Sequence, residues 1–315
     1  MAYQLEEINR KVHDDPKAFL AECDGVYQRR IEKAVDRIQA RMSESPIVLL
    51  SGPSGSGKTT TALKLEEELE RRGITSHTIS MDNYFKTLNR DTAPRTPEGE
   101  IDYESPQLLD MDLLDETFTK LSRGEEVVIP KFEFSRQMRN DARGRPLRLE
   151  KNEIAIFEGI HALNDDIAGR HPEATTLYIS ARSNILEGEE VRFKGTWMRI
   201  TRRAVRDLNF RGTDLTETMA MWHNVRRGEK LYISPFKNRA HIILDSSLRY
   251  EVPVFTHYVP QLRQALEGLD PANPRFRELH DLVDAFRWFE PLDPTLVAPQ
   301  SLIREFIGGG TYKYK

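Results

Sequence analysis

Cysteine is nearly absent: Cys23 is the only one in 315 residues, so no intramolecular disulfide can form and Cys-rich zinc arrangements are excluded. No window approaches the run of about 18 apolar residues that a membrane span needs, and the N-terminus has no apolar core of signal-peptide length. An excess of one charge is missing too. Forty-six Lys and Arg stand against 50 Asp and Glu, a net charge of −4, too even for a general nucleic-acid or membrane-surface binder. There is no internal repeat, and the only low-complexity tract is the short run Gly308 to Gly310. These absences point to a cytoplasmic protein in a reducing compartment, with any basic site confined to one place. The hydrophobic fraction, 38%, is enough for a sizeable core.

Residues 1–45 are polar and charged, with apolar positions at loose helical spacing, and read as a helical N-terminal arm. From Pro46 short apolar runs alternate with helical patterns: IVLL at 47–50, TTALKLEEELERRG at 59–73, ITSHTISM at 74–81 and PQLLDMDLLDETFTKLSRG at 106–124. Strand-helix-strand order predicts an α/β fold with a parallel sheet covered by helices on both faces. Further strands are expected at EEVVIPKFEF, EIAIFEG, TTLYIS and AHIILDSS, which bounds a core domain at 46–254. Within it, helix formers and basic residues over about 185–236 predict a helical excursion above the sheet. Residues 255–315 read as a helical C-terminal extension.

GPSGSGKT, from Gly52 to Thr59, satisfies every fixed position of G-x-x-x-x-G-K-[ST], with an apolar strand entering and an amphipathic helix leaving. Gly52, Pro53, Ser54, Gly55, Ser56, Gly57, Lys58, Thr59 and Thr60 are therefore expected to cradle the phosphates of ATP. Backbone N–H groups and the positive end of the helix supply the attraction. Lys58 should reach the β- and γ-phosphates, and the Thr59 hydroxyl should bind Mg²⁺. No NKxD-type guanine reader and no LSGGQ-type stretch accompanies the loop.

A kinase of a small molecule needs three further parts: a carboxylate to take the acceptor's proton, a second acid near the metal, and cations over the transferring group. Asp82, in SMDNYF past a strand end at the carboxyl edge of the sheet, is the candidate base and is counted with Thr59 and Glu158 among the candidate metal residues. Glu158 closes the strand Ile154 to Phe157 and is the candidate second acid. Between Arg192 and Arg211 seven basic residues face one acid, Asp207. Arg199, Arg202, Arg203 and Arg206 fall at i, i+3, i+4 and i+7, one stripe of a helix, predicting an outward-facing row that covers phosphate.

GPSGSGKT, SMDNYF, IDYESPQLLD, IPKFEF, IFEGIHALN and RITRRAVRDLNFRGTDL occur in the order seen in uridine kinases and the related phosphoribulokinase group, and the chain resembles that family of P-loop kinases over about residues 46–250. WHNVRRGEKLYISPFKNRAHIILDSSLRYEVPVF and SLIREFIGGGTY are similar to a bacterial uridine-kinase-like branch, whose kinase regions are sometimes joined to a segment related to threonyl-tRNA synthetase. The resemblance implies transfer of the γ-phosphoryl of ATP to the 5′-hydroxyl of uridine or cytidine, with Mg²⁺. It makes Asp82 the base, places Thr59 and Glu158 around the metal, and makes Arg199, Arg202, Arg203 and Arg206 the lid arginines. The acidic residue of the ribose-binding turn falls at Glu104 or at Asp102. Around the base pocket the family's tyrosine and histidine are replaced by Phe132 and Gln137. Gln137 retains an amide to meet a pyrimidine edge, whereas Phe132 has lost a hydroxyl, which puts the acceptor's identity in question.

Tyr84 and Phe85 either wall the acceptor pocket or belong to the core, and Phe132 and Phe134 alternate as strand residues do. Arg136 and Arg139 are either acceptor contacts or solvated charges. Two other readings stay open: a sugar-phosphate acceptor held by Arg136, Arg139, Arg226 and Arg227, and a nucleotide-dependent module whose Arg helix contacts RNA, against which the near-neutral charge argues. A small-molecule partner and no membrane are expected. Homo-oligomerisation is left open.

Overall fold

The computed structural model describes residues 2–314. Five parallel strands form the central sheet: β2 (Ile47–Ser51), β3 (Thr75–Ser80), β8 (Glu153–Glu158), β9 (Thr175–Ser180) and β12 (Ile242–Asp245), in the order β12-β9-β2-β8-β3. The runs IVLLS and TTLYIS are buried at every position because helices cover both faces. Alternation then divides them. Val48, Leu50, Ile154, Ile156, Leu177 and Ile179 point into one apolar cluster, and Ile47, Leu49, Ala155, Phe157 and Tyr178 into the other.

The second cluster is closed by α4 (Met111–Ser122) through Leu114, Phe118 and Leu121. The first is closed by α3 (Lys58–Arg71) and by both chain extensions. N-terminal helices α1 (Leu5–Asp14) and α2 (Pro16–Arg41) contribute Ile8, Tyr27, Ile31 and Val35, and the Tyr27 hydroxyl meets Thr61 Oγ1 of α3 at 2.6 Å. Towards the C-terminus, the short α7 (Glu251–Phe255), α8 (Val259–Glu267), α9 (Phe276–Ala285) and the single turn α10 (Arg304–Ile307) contribute Val252, Leu262, Leu279 and Phe306. The N-terminal segment is thus packed along the sheet rather than extended from it.

The parallel register brings the C-terminal ends of the strands to one edge. Leu50 pairs with Glu158, and Glu158 with Ser80, so the loop after β2 and the acid ending β8 are neighbours by construction. The strand order reverses beside β2, the place where such sheets bind ligands.

Three expectations need correction. EEVVIPKFEF is not a strand of the main sheet: Pro130 has no N–H to continue a ladder, and the segment divides into β4 (Val127–Ile129) and β5 (Phe132–Glu133). These pair with β7 (Arg145–Leu147) and β6 (Met138–Arg139) in two hairpins beside the sheet. The strand expected to reach Met81 ends at Ser80, followed by a 3₁₀ turn over Met81–Tyr84. The lid does not begin as helix. Its first part is a hairpin, β10 (Asn184–Glu187) and β11 (Glu190–Phe193), joined in parallel by β1 (Ala2–Gln4). Helices α5 (Gly195–Arg206) and α6 (Leu215–Gly228) follow.

Candidate active site

The phosphate loop is shaped by glycine where no other residue fits. Gly57 caps α3 at φ 83° and Gly55 turns at φ 73°, and a side chain at Gly55 would collide with the carbonyl of Arg199. The loop's outward carbonyls are held from behind: Arg199 donates to Ser54 O at 3.3 Å, Arg202 to Gly55 O at 3.2 Å, and Ser246 Oγ to Ser56 O at 2.7 Å. Pro53 O points the other way, accepting from Lys58 Nζ at 3.4 Å and from Ser56 N–H at 3.2 Å, so the loop closes on itself where it enters the first turn of α3. Ser56 Oγ is fully buried within the loop, next to Gly52, and has no partner. These features fit a polyphosphate. For a divalent ion, the Thr59 hydroxyl and the Glu158 carboxylate are hard oxygen donors suited to Mg²⁺. No group of three or more His, Cys, Asp or Glu among the described residues is arranged to hold a metal.

Lys58, first residue of α3, lies among acids. Burial pulls its pKa down, while Glu158, Asp82 and Glu305 hold the proton on. Burial likewise pushes Asp82 up, opposed by Lys58 and Arg211. Glu158 is pushed to about 7 by burial, with Lys58 pulling it back and Asp82 repelling. Two carboxyls and one ammonium thus share a poorly solvated recess at the sheet edge, the condition under which an aspartate retains its proton more readily than in water.

The stripe of arginines exists but does not face solvent. Arg199 and Arg202 are buried at 1% and 0% exposure. Arg199 pairs with Glu229 at 2.7 Å, and Arg202 with Glu251 at 2.6 Å. The helical period aligned the four residues as expected, but α5 lies against the back of the loop, where peptide carbonyls and two glutamates supply the counter-charge. The expected outward, unpaired row is therefore corrected, and Arg199 and Arg202 brace the loop instead of covering it. Arg203 and Arg206 remain at the mouth. Arg203 donates to Ser54 Oγ at 3.1 Å, and Arg206 lies 3.6 Å from Glu305. Both also approach Asp207, as does Arg211.

On the acceptor side, packing separates Asp102 from Glu104. Asp102 is buried, pairs with Arg227 at 2.9 Å and accepts from the Tyr232 hydroxyl at 3.0 Å, which ties its turn to the lid. The Glu104 carboxyl turns inward, pushed to about 7 by burial, with Arg203 and Lys58 pulling it down and Asp102 and Asp82 raising it. α6 ends against it, and a side chain at Gly228 would strike Glu104 Cβ. Phe132 is buried edge-on to Phe85 at 5.6 Å and to Phe134 at 5.2 Å. Gln137, at φ 50°, closes the β5–β6 turn directly before β6.

Two expected acceptor contacts are removed. Tyr84 has no exposed surface and packs on Phe157, so it belongs to the core. Arg139 is held by Asp110 at 2.6 Å and by Asp141 at 3.0 Å. Sequence reasoning missed His161, whose two ring nitrogens are buried without geometric partners beside the turns of Glu104 and Tyr232. Burial holds its pKa down at about 4, so it is neutral. Its position three residues after Glu158, which ends β8, was the available signal. Arg211 facing Asp82, and Glu305 from the far end of the chain, were missed as well; only tertiary folding brings them in.

A profile of the phosphoribulokinase / uridine kinase family matches residues 47–252, about two thirds of the chain. The protein belongs to that family. Family membership places it among ATP-dependent kinases. Over 205 residues it is 29% identical to a uridine kinase of Geobacillus sp. (strain WCH70), covering 64% of this chain and 87% of that one. Over 174 residues it is 28% identical to a uridine kinase of Schizosaccharomyces pombe, 55% of this chain but only 34% of that longer relative. A crystal structure assigned to a fructose transport system kinase of Silicibacter sp. TM1040 superposes with a TM-score of 0.50 at 18% identity, over 68% of this chain and 98% of that one. That likeness concerns the fold alone. No helix among the described residues is long and apolar enough to cross a membrane.

The poorly solvated acids carry a pH signature. Glu158 binds its proton more tightly folded, near 7, than unfolded, near 4.5, so its contribution to stability is full below 4.5 and is lost as pH rises to 7. Glu158→Gln is expected to raise stability at pH 8 by at most about 3 kcal/mol, the free energy that separates the proton affinities of the buried and the exposed carboxyl, and to change little at pH 4. Thermal melts at the two pH values check this; an equal effect at both would contradict the burial argument.

Proposed function

We propose that the protein transfers the γ-phosphoryl of ATP to the 5′-hydroxyl of a pyrimidine ribonucleoside, with catalysis in residues 46–254 and the lid closing over the acceptor. The observation that carries this reading is the convergence of Asp82, Lys58, Glu158 and Glu104 on one recess beside the phosphate loop. Asp82 accepts the proton of the acceptor hydroxyl as that oxygen bonds to phosphorus and the bridge to ADP breaks. Lys58, Arg203 and Arg206 hold the charge that accumulates on the transferring and leaving oxygens. Thr59 and Glu158 would hold Mg²⁺, which neutralises phosphate charge when bound. Glu104 accepts from ribose hydroxyls. Phe132 and Phe85 form an apolar wall for the base, and the Gln137 amide is available to its edge.

An uncharged sugar is the second reading, favoured by the loss of the family's tyrosine at Phe132. An acceptor that already carries phosphate is disfavoured. The four cations it would need are paired: Arg136 with Glu133, Arg139 with Asp110, Arg226 with Glu229, and Arg227 with Asp102. An RNA-binding role for the arginine helix is disfavoured because Arg199 and Arg202 are buried. A cytoplasmic setting agrees with the single buried cysteine, whose thiol burial pushes up to about 11.

The test is ADP release with uridine, cytidine, fructose, glycerate and ribulose 5-phosphate as acceptors. A kcat/KM for uridine or cytidine at least about tenfold above the others is expected, the discrimination that roughly 1.4 kcal/mol of differential transition-state binding supplies. Preference for fructose or glycerate would replace the nucleoside reading.

A further inference from the structure

The C-terminal extension, outside the residues that match the family, reaches into the phosphate loop. Glu305 is 6% exposed and accepts from Thr60 N–H at 3.3 Å and from Thr60 Oγ1 at 2.6 Å. Its other oxygen lies 3.6 Å from Arg206. Tyr314 also reaches Thr60, 3.1 Å from Oγ1, and Leu302 is packed so closely on Gly57 that a Cβ there would lie 2.9 Å from it. The Phe306 ring meets the Arg202 guanidinium at 5.4 Å. The strap is fastened by Ser301 to Tyr250 and by Tyr312 to Glu67, and it leaves α10 through Gly308 and Gly309, both at positive φ.

Thr60 is the third residue of α3. Its N–H is one of the four that a helix cannot satisfy internally, and in a phosphate loop those first-turn donors serve phosphate oxygens. Here the Thr60 N–H serves a carboxylate of the same chain. The arrangement repeats what a nucleotide phosphate would find: an anion on an N–H and a hydroxyl at the positive end of α3, with an arginine on its far side. Glu305 also lies within the field of Lys58. Two anions cannot use these donors together, and both would repel in a recess that already holds Asp82 and Glu158.

We propose that Glu305 is an intramolecular occupant of the nucleotide site: it holds the first turn of α3 until a nucleotide phosphate displaces it and, with it, the strap. This rests on the loop being the ATP site but not on which acceptor is used. The strap thereby lowers apparent nucleotide affinity by the fraction of molecules in which it is seated.

The experiment is calorimetric titration of the full chain with ADP, for wild type and Glu305→Gln, together with hydrogen–deuterium exchange of residues 298–314 with and without ADP. Gln retains the shape but replaces charge-assisted hydrogen bonds with neutral ones, roughly half as strong, so ADP should bind about five- to tenfold more tightly to the variant. In wild type, ADP should increase exchange across the strap. Unchanged or weaker ADP affinity in Glu305→Gln overturns the proposal. So does a strap that ADP leaves equally protected in wild type, a result that needs no variant. If uridine and cytidine fail as acceptors while these two effects appear, the acceptor reading alone falls; if neither protein binds ADP, the loop assignment falls and this proposal with it.

Discussion

Asp82→Asn is expected to lower kcat by about 10²- to 10⁴-fold, the range for losing a positioned general base, with ADP affinity nearly unchanged. Asparagine preserves the size of the side chain and the 3₁₀ turn, in which Asp82 N donates to Ser80 Oγ at 3.3 Å, so the fold should persist. It cannot take a proton. Because burial raises the Asp82 pKa, the acid limb of the wild-type profile for kcat/KM should lie above the ordinary aspartate range, with activity lost as pH falls through it. Comparing single-turnover rates and ADP binding for the two proteins measures this. A variant as fast as wild type with its own acceptor would remove Asp82 from the chemistry.

The second large effect is on stability and separates bracing from phosphate binding. Arg202 is fully buried, makes two hydrogen bonds to Glu251, and donates to Gly55 O and Ser246 O. Arg202→Met should leave Glu251 buried without its counter-charge and cost about 3–5 kcal/mol. For a chain of this size that corresponds to a fall in Tm on the order of 10 °C. Replacing Glu251 with Gln in the same protein should recover part of the loss, because the stranded charge is then gone. Were Arg202 a phosphate ligand, the single variant would keep its Tm and lose nucleotide affinity.

Arg202 shows how far a linear pattern can be carried. The i, i+3, i+4, i+7 spacing correctly implied a single stripe on a helix, because side-chain direction along a helix is a local property. Whether that stripe meets water or protein depends on what packs against it, and Glu229, Glu251 and the carbonyls of Ser54 and Gly55 are 30 to 147 residues away in the chain. The same distinction decides Asp102 against Glu104. Two positions apart in one turn, they cannot be ranked by motif, yet the lid's Arg227 and Tyr232 take one and leave the other facing Lys58. EEVVIPKFEF read as a strand because its β-branched and aromatic residues are strand formers, and the proline that divides it was visible in the same ten letters.

From the amino-acid order alone follow the phosphate loop, the strand ends that present Asp82 and Glu158, and the parallel sheet, since each is encoded within a few consecutive residues by glycine geometry, helix polarity and runs buried on both faces. Folding in three dimensions decided which arginines brace and which face the opening, that Tyr84 is core, and that Glu305 from the distant C-terminal segment sits on Thr60. Those outcomes depend on contacts between segments remote in sequence, where burial and counter-charge are supplied by a partner that no local pattern names.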